Sequence, residues 1–150
     1  MAPSGYCEPA DLNTLGVQEA ALASIPDPVK VAAISTSAAM MDSYFRAQFS
    51  ELDGAEPGYK TFTSWGDDVR RCNAILAVWD LMVIRGFSPS AGSDEVLRMR
   101  YEDLVGRPGQ SGWLDKVAKQ QVVPNLKPRA TDSAAYLQPR VTSRDPRGWT

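Results

Sequence analysis

One stretch, from Asp67 to Phe87, constrains the fold of this 150-residue chain more than any other. It reads DDVRRCNAILAVWDLMVIRGF. Its apolar residues recur at spacings of three and four along two adjacent rows, which predicts a helix with a wide buried arc. The first row is Val69, Cys72, Leu76, Trp79 and Val83, and the second is Ile75, Val78 and Met82. A helix that is apolar over so much of its circumference belongs in the middle of a domain.

Further helices are predicted on both sides of this central helix. One runs from Asp27, which suits an N-cap, through Pro28 at the first helical position to about Ser50. Its apolar stripe is Ile34, Ala38, Met41, Phe45 and Phe49. Another begins at the cap Ser93 and covers SDEVLRMRYEDLV, with Leu97, Tyr101 and Leu104 facing inward. The central helix is expected to pack between these two.

Shorter elements complete the prediction. Pro9 starts a short helix that Gly16 closes, and WLDKVAKQ forms a short amphipathic helix after the turn GRPGQSG. Residues 52–64 contain Gly and Pro and are predicted to be a loop. No segment shows the alternation typical of a strand. The expected fold is all-α, a small bundle of about four to five helices over residues 1–124.

Residues 125–150 are predicted to be an extended basic arm, because four prolines interrupt the chain from Pro124 onward. Residues 121–150 carry five basic and two acidic side chains, whereas residues 1–120 carry eleven basic and sixteen acidic ones. One interpretation is solvent-exposed chain. The other is a segment that orders on a partner surface, because apolar anchors are spaced along it. The expected protein-binding residues are Leu126, Arg129, Tyr136, Leu137, Arg140, Arg144 and Trp149.

The residue types argue against catalysis. The chain has no histidine, which removes the commonest general base and metal ligand, and it has only two cysteines. Its paired acids are explained by helix N-termini, and Glu102–Asp103 by pairing with Arg98 or Arg107. We therefore expect a protein that is not an enzyme and binds no cofactor or metal. The apolar runs are too short for a membrane span and the first residues do not resemble a signal peptide.

The order of several motifs resembles a family of tailed-phage proteins, the small helical head–tail connector (adaptor or head-completion) proteins, in particular the branch found in Mu-like prophages. The resemblance covers about residues 6–126. It is carried by Tyr6 and Asp11-Leu12, then Met41-Asp42-Ser43-Tyr44-Phe45, the apolar central helix, Arg100-Tyr101-Glu102-Asp103-Leu104, and Trp113-Leu114-Asp115-Lys116-Val117-Ala118, closing at Pro124. Two departures from the family pattern affect the last helix. GRPGQSG splits it, and Lys119 replaces the glycine that usually follows the alanine.

The resemblance implies a structural virion protein that forms a homo-oligomeric ring, of twelve copies, beneath the portal protein. It would join the DNA-filled head to the tail, and its partners would be the portal, neighbouring copies of itself and the next neck or tail-completion protein. DNA would pass through the channel without specific binding, which suits an acidic body. The implied location is the neck of the virion, and the host cytoplasm during assembly.

A different interpretation is a small helical DNA-binding regulator. It requires a basic recognition helix, and the one candidate is VLRMRYED. With Asp94 and Glu95 included, acids in this region are at least as numerous as bases. The connector is therefore the expected function and the DNA-binding regulator is the alternative.

Overall fold

The computed structural model describes residues 3–15, 22–54, 56–85 and 93–128. Over these ranges the chain is a mostly helical bundle, which confirms the predicted fold class. The α-helices, in chain order, are α1 (Asp27–Phe45), α2 (Gly58–Thr61), α3 (Asp67–Arg85), α4 (Ser93–Val105) and α5 (Trp113–Ala118). The remaining elements of the described ranges are two 3-10 helices (Pro9–Leu15 and Ser50–Asp53) and two strands, β1 (Phe62–Trp65) and β2 (Leu126–Pro128).

Helix α3 is the centre of the bundle, as predicted. Residues 72–78 are all buried, so the helix is covered around its whole circumference over two turns. It contacts α1, α4 and the 3-10 helix near the N-terminus. The buried surface consists mainly of aliphatic side chains, whose removal from water is the main favourable term in folding.

The far end of the predicted buried row lies nearer the surface. Val83 is 55% exposed, so its predicted inward position is wrong, and Trp79 is half-buried with its ring stacked on Tyr101. The start of the row packs with Leu114 and Val117 of α5. Because α5 has six residues, about 9 Å of helix, it is too short to cover a row that follows the 19-residue α3.

Helix α1 is shorter than predicted, and it starts differently. It ends at Phe45, and Phe49, at the end of the predicted stripe, is buried from the loop that follows. That loop is held by Gln48, whose Nε2 donates to the carbonyl oxygens of Val117 (2.7 Å) and Val122 (2.6 Å). Asp27 is the first helical residue and not the cap, and Pro26 precedes it without a side-chain capping bond.

A two-stranded antiparallel sheet replaces part of the predicted loop and arm. Strand β1 pairs with β2 so that Trp65 lies opposite Leu126, and an irregularity interrupts the register after Phe62. The prediction that the chain has no strand is therefore wrong. Strands of four and three residues are too short to show an alternating pattern, and their pairing joins residues more than 60 positions apart.

The N-terminal segment is attached to the bundle through Tyr6 and Asn73. The side-chain Oδ1 of Asn73 accepts the backbone N–H groups of Tyr6 (2.7 Å) and Cys7 (3.1 Å), and its Nδ2 donates to the carbonyl of Ile34 (3.1 Å). Asn73 is fully buried in α3. It therefore pairs three backbone groups of two other segments that would otherwise lose their hydrogen bonds on burial.

The ring of Tyr6 reaches a second buried polar residue, Asp42. The Tyr6 hydroxyl donates to Asp42 Oδ1, and the backbone N–H of Gly58 donates to Oδ2 over 2.9 Å. A Cβ at position 58 would collide with this hydroxyl and carboxylate, so only glycine brings its N–H so close. Burial raises the pKa of Asp42, and the two hydrogen bonds oppose that shift.

We expect Asn73→Ala to destabilise the protein by about 2–5 kcal/mol, because three buried backbone groups lose their partner at about 1–3 kcal/mol each, with partial relaxation. Urea unfolding followed by circular dichroism measures this. The control is Asn13→Ala, which truncates an exposed asparagine and should change the free energy of unfolding by less than about 0.5 kcal/mol. Equal effects of the two substitutions would contradict the proposed role of Asn73.

The raised pKa of Asp42 predicts a pH dependence. Because this carboxyl holds its proton more tightly in the folded than in the unfolded chain, its contribution to stability is present below the unfolded pKa, about 3.9, and is lost as the pH rises through the folded value. Asn does not titrate. The free energy of unfolding of Asp42→Asn, relative to wild type, should therefore rise between about pH 3.5 and pH 7.

Asp115→Asn is the matched control. Hydrogen bonds from Lys119 and Ser111 lower the pKa of the Asp115 carboxyl. The contribution of Asp115 to stability is thus present above the pKa of the unfolded chain, and it is lost as the pH falls through the lower pKa of the folded chain. Relative to wild type, Asp115→Asn should lose stability over the same rise in pH. Urea unfolding at both pH values gives the free energy of unfolding of each variant relative to wild type. If this difference changes in the same direction with pH for both variants, the opposite pKa shifts of Asp42 and Asp115 are contradicted.

Candidate functional site

The predicted protein-binding residues of the arm fall into two groups. Arg129, Tyr136, Leu137, Arg140, Arg144 and Trp149 lie outside the described residues, so their role stays a prediction. Leu126 lies in β2, is 7% exposed and packs in the same cluster as Val69 and Leu114. Its side chain packs in the core of its own chain, unlike the partner-facing position expected from the sequence. Strand β2 also places residues 126–128, predicted as arm, in the body.

The outer face of α1 is a surface without charge. Apart from Asp27 at the start of α1, its exposed residues are Pro28, Val29, Ala32, Thr36, Ala39, Met40 and Ser43. Those from Val29 onward recur at helical spacing and form one stripe, here called the α1 outer face. The two charged residues of α1 after Asp27, Lys30 and Asp42, are both buried. An exposed helix face usually carries charged residues, so this stripe is unusual for a surface left in water.

The hydroxyl groups on the α1 outer face are already paired within the helix. Thr36 Oγ1 donates to the carbonyl of Ala32 over 2.9 Å, and Ser43 Oγ donates to the carbonyl of Met40. These donors do not depend on water for a partner. Covering the stripe with another protein surface would therefore leave none of these hydroxyl protons unsatisfied, and the α1 outer face can lose its water at little cost.

A second surface feature is a cleft between α3, α4 and α5, with a volume of about 520 Å³. Its apolar lining comes from Cys72, Ile75, Leu104, Trp113 and Val122. Its polar lining comes from Asp68, Arg71, Arg100, Glu102, Asp103, Gln110, Ser111 and Lys116. An apolar floor with a polar rim is typical of sites that bind a small molecule or a peptide side chain.

The turn between α4 and α5 sets the shape of this cleft. Gly106 and Gly109 have positive φ angles of 92° and 82°, and Arg107 and Gln110 form an isolated antiparallel bridge. Gly112 then packs directly against the backbone of Leu104 and Gly106. The predicted interhelix turn is therefore a compact structure that places α5, with Trp113 and Lys116, beside α4.

The acids of α4 pair as the sequence indicated. Arg107 approaches Glu102 (3.1 Å) and Asp103 (3.7 Å), and Arg98 of the candidate recognition helix pairs with Glu95 (3.8 Å). Within the described part of the chain, no group of three or more His, Cys, Asp or Glu residues is arranged to hold a metal ion. The described helices include none long and apolar enough to cross a membrane.

The cysteines are buried and chemically quiet. Burial raises the pKa of the Cys7 thiol to about 12 and also raises that of the Cys72 thiol, which lines the cleft. A thiol with a raised pKa stays protonated near neutral pH and is a poor nucleophile. Cys72 therefore contributes apolar surface to the cleft, which agrees with the core position predicted for it.

Comparisons of the chain with protein-family models, with curated proteins and with solved structures returned no match.

Sequence reasoning located neither surface. For the α1 outer face a signal was present, because residues 28–45 contain only Lys30 and Asp42 as charged residues. If the side chains of Lys30 and Asp42 both point inward, the outer face of this helix carries no charge. For the cleft no comparable signal exists. Its lining comes from three helices, the turn between α4 and α5 and the segment after α5, and packing sets how these elements lie relative to one another.

We expect Gly112→Ala to destabilise the protein more than Gly109→Ala. A Cβ at position 112 would overlap backbone atoms of Leu104 and Gly106, which cannot move aside as a flexible side chain can. A Cβ at position 109 meets nothing within 4 Å, so only the strain of its positive φ remains, about 1–2 kcal/mol. Thermal melting of both variants tests this, and equal melting temperatures would contradict the close contact.

Proposed function

We propose that this chain is a structural subunit of a tailed-phage head–tail connector. In this proposal it forms a homo-oligomeric ring, of twelve copies, beneath the portal protein and joins the DNA-filled head to the tail. The ring would also meet the next neck or tail-completion protein. The subunit would work in the neck of the virion, after assembly in the host cytoplasm, and would carry out no reaction.

The α1 outer face is the observation that carries this proposal. It combines Val29, exposed over 40% of its surface, and Met40, exposed over 36%, with small residues that allow another helix to approach closely. The opposite side of α1 carries the apolar stripe that packs in the core, so α1 has apolar residues on both sides. This composition supports a helix that lies between its own subunit and a neighbour.

A ring needs two different contact faces on each subunit, since a cyclic assembly joins one face to another. Helix α4 offers a second apolar surface, where Val96 and Met99 are each 49% exposed. The two residues are three apart and so lie on the same side of α4. Together with the α1 outer face, they supply the pair of dissimilar surfaces that a heterologous interface requires.

The motif residues behind the family resemblance have structural roles here. Tyr6 and Asp42, which belong to its first two motifs, are joined by a buried hydrogen bond. Tyr101 of the fourth motif stacks on Trp79 of the central helix, and Leu114 of the last motif is fully buried. Motif residues that are needed for a shared fold are expected at buried positions of this kind. This supports the connector proposal through the fold.

We expect Met40→Lys to prevent ring formation while the subunit stays folded. Burying an unpaired ammonium group in an interface costs several kcal/mol, whereas at an exposed helix position the substitution should change the melting temperature by no more than about 2 °C. Mass photometry and negative-stain imaging, with and without the portal protein of the same phage, measure the assembly.

Val123→Lys is the matched control. Val123 is 56% exposed and is not part of α1, so the same charge is added to an exposed apolar position outside the α1 outer face. This variant should assemble like wild type. Wild-type protein that stays monomeric even with the portal would overturn the connector proposal. Rings of Met40→Lys at wild-type yield would show that the α1 outer face is not the subunit interface.

A further inference from the structure

The N-terminal segment, residues 3–15, lies on the bundle as a peptide lies in a binding site. Side chains of the bundle hold its backbone. Asn73 Oδ1 accepts the N–H groups of Tyr6 and Cys7. Trp65 Nε1 donates to the carbonyl oxygen of Tyr6 over 2.6 Å. In peptide-binding sites, hydrogen bonds to the main chain give affinity and side-chain pockets give specificity. These contacts supply the first of the two features.

A pocket for the Tyr6 side chain supplies the second. The ring lies edge-on to three aromatic rings, whose centroids are 6.0 Å (Phe45), 6.2 Å (Tyr59) and 5.3 Å (Trp65) from its own. The Tyr6 hydroxyl donates to the carboxylate of Asp42, and Tyr6 is only 1% exposed. A fully buried aromatic side chain with a paired hydroxyl is the kind of anchor that dominates the binding energy of protein interfaces.

The position before this anchor is restricted to glycine. A Cβ at Gly5 would lie 2.5 Å from Ile34 Cγ2 and 2.8 Å from Asn73 Oδ1. Asn73 cannot easily move aside, because its side chain is buried and holds three backbone groups. The site therefore selects a glycine followed by a tyrosine, in a segment whose N–H groups at the tyrosine and at the next residue reach Asn73.

We propose that this site also receives residues 3–15 of a second copy of the chain, so that neighbouring subunits exchange their N-terminal segments. An exchanged segment makes the same contacts in the new pocket as in its own, so exchange loses none of them. The seven residue steps from Leu15 to Leu22 span up to about 25 Å when extended, which allows the segment to enter an adjacent copy. The proposal rests on the connector function only in placing that copy beside it in a ring.

Exchange would strengthen the contact between two subunits. In a closed ring every segment leaves its own pocket and every pocket is refilled by a neighbour, so each Tyr6 stays buried. Separating two subunits would then require the withdrawal of Tyr6 and the loss of its hydrogen bonds to Asn73 and Asp42, in addition to the exposure of the α1 outer face. Residues 3–15 are the occupant proposed, because the structure itself shows how this segment fits.

The first measurement uses full-length Tyr6→Ala protein and a fluorescein-labelled synthetic peptide of residues 1–15. Without its anchor the protein's own segment competes poorly, so the pocket is open to a peptide in trans. Tyr44→Ala is the control, because it truncates a half-buried tyrosine of α1 and leaves Tyr6 in place. Fluorescence anisotropy measures binding, and circular dichroism melts verify that both proteins are folded.

We expect the peptide to bind Tyr6→Ala at least about tenfold more tightly than Tyr44→Ala, whose pocket is already filled. A peptide with Tyr6→Phe should bind Tyr6→Ala about tenfold more weakly than the unmodified peptide, since Asp42 loses a donor. A peptide with Gly5→Ala should also bind about tenfold more weakly, because its Cβ overlaps Ile34 and Asn73.

The second measurement detects exchange between full-length copies that keep Tyr6, and it is informative even if Tyr6→Ala does not fold. The photoreactive amino acid p-benzoylphenylalanine replaces Tyr59, whose ring lies beside Tyr6 in the pocket. Isotopically labelled and unlabelled copies are mixed, warmed to just below Tm and illuminated, both at high protein concentration and with the portal protein. Mass spectrometry of the digest separates links within one copy from links between copies. We expect links from position 59 of one copy to residues 3–15 of another.

Failure of the peptide to bind folded Tyr6→Ala, equal affinity for the unmodified and the Tyr6→Phe peptides, or links only within single copies under both conditions would overturn the proposal. The connector function is judged separately, by ring formation. Rings in which every link lies within one copy would retain the connector without exchange. Links between copies of a protein that forms no ring would retain the exchange and overturn the connector.

Discussion

The burial of α3 around its whole circumference is the constraint on which the rest of the structure depends. Seven consecutive buried residues need cover from every direction, and no single neighbouring helix can supply it. Helices α1 and α4 and the N-terminal 3-10 helix contact α3, and a separate cluster joins its first half to α5 and β2. Where this cover ends, near Val83, the apolar row reaches the surface. The arrangement of short elements around α3 follows from this requirement.

Asn73 is the polar exception within that buried stretch. A side chain with both donor and acceptor, placed in the middle of the core, can pair only where matching backbone groups are supplied. The N-terminal segment supplies two N–H groups and α1 supplies one carbonyl. This requirement fixes the position of Tyr6, which in turn reaches Asp42 and accepts the Trp65 Nε1–H at its carbonyl over 2.6 Å. One amide thereby links three separate parts of the chain.

The same helix, α1, serves stability on one side and offers an uncharged surface on the other. Lys30 and Asp42 are placed inward, where Asp42 is part of the Tyr6 network, and this leaves the outer face without charge. The cleft is different in character, because its lining combines apolar side chains with charged side chains of both signs. An uncharged face suits contact with another uncharged protein surface, since no charge has to be desolvated there.

The sequence by itself determined the central helix, the inward stripe of α1 through Phe45, and the bounds of α4, because the helical period of apolar residues is a local signal that burial enforces. It also indicated the pairing of Arg107 with Glu102 and Asp103, which are close along one helix and its turn. Only the tertiary structure decided the β1–β2 pairing, the buried position of Leu126 and the exposure of Val83. Each depends on which distant element lies opposite, and short elements carry too little pattern to specify that. The cleft has the same origin, since its lining residues are brought together only by the packing of distant elements.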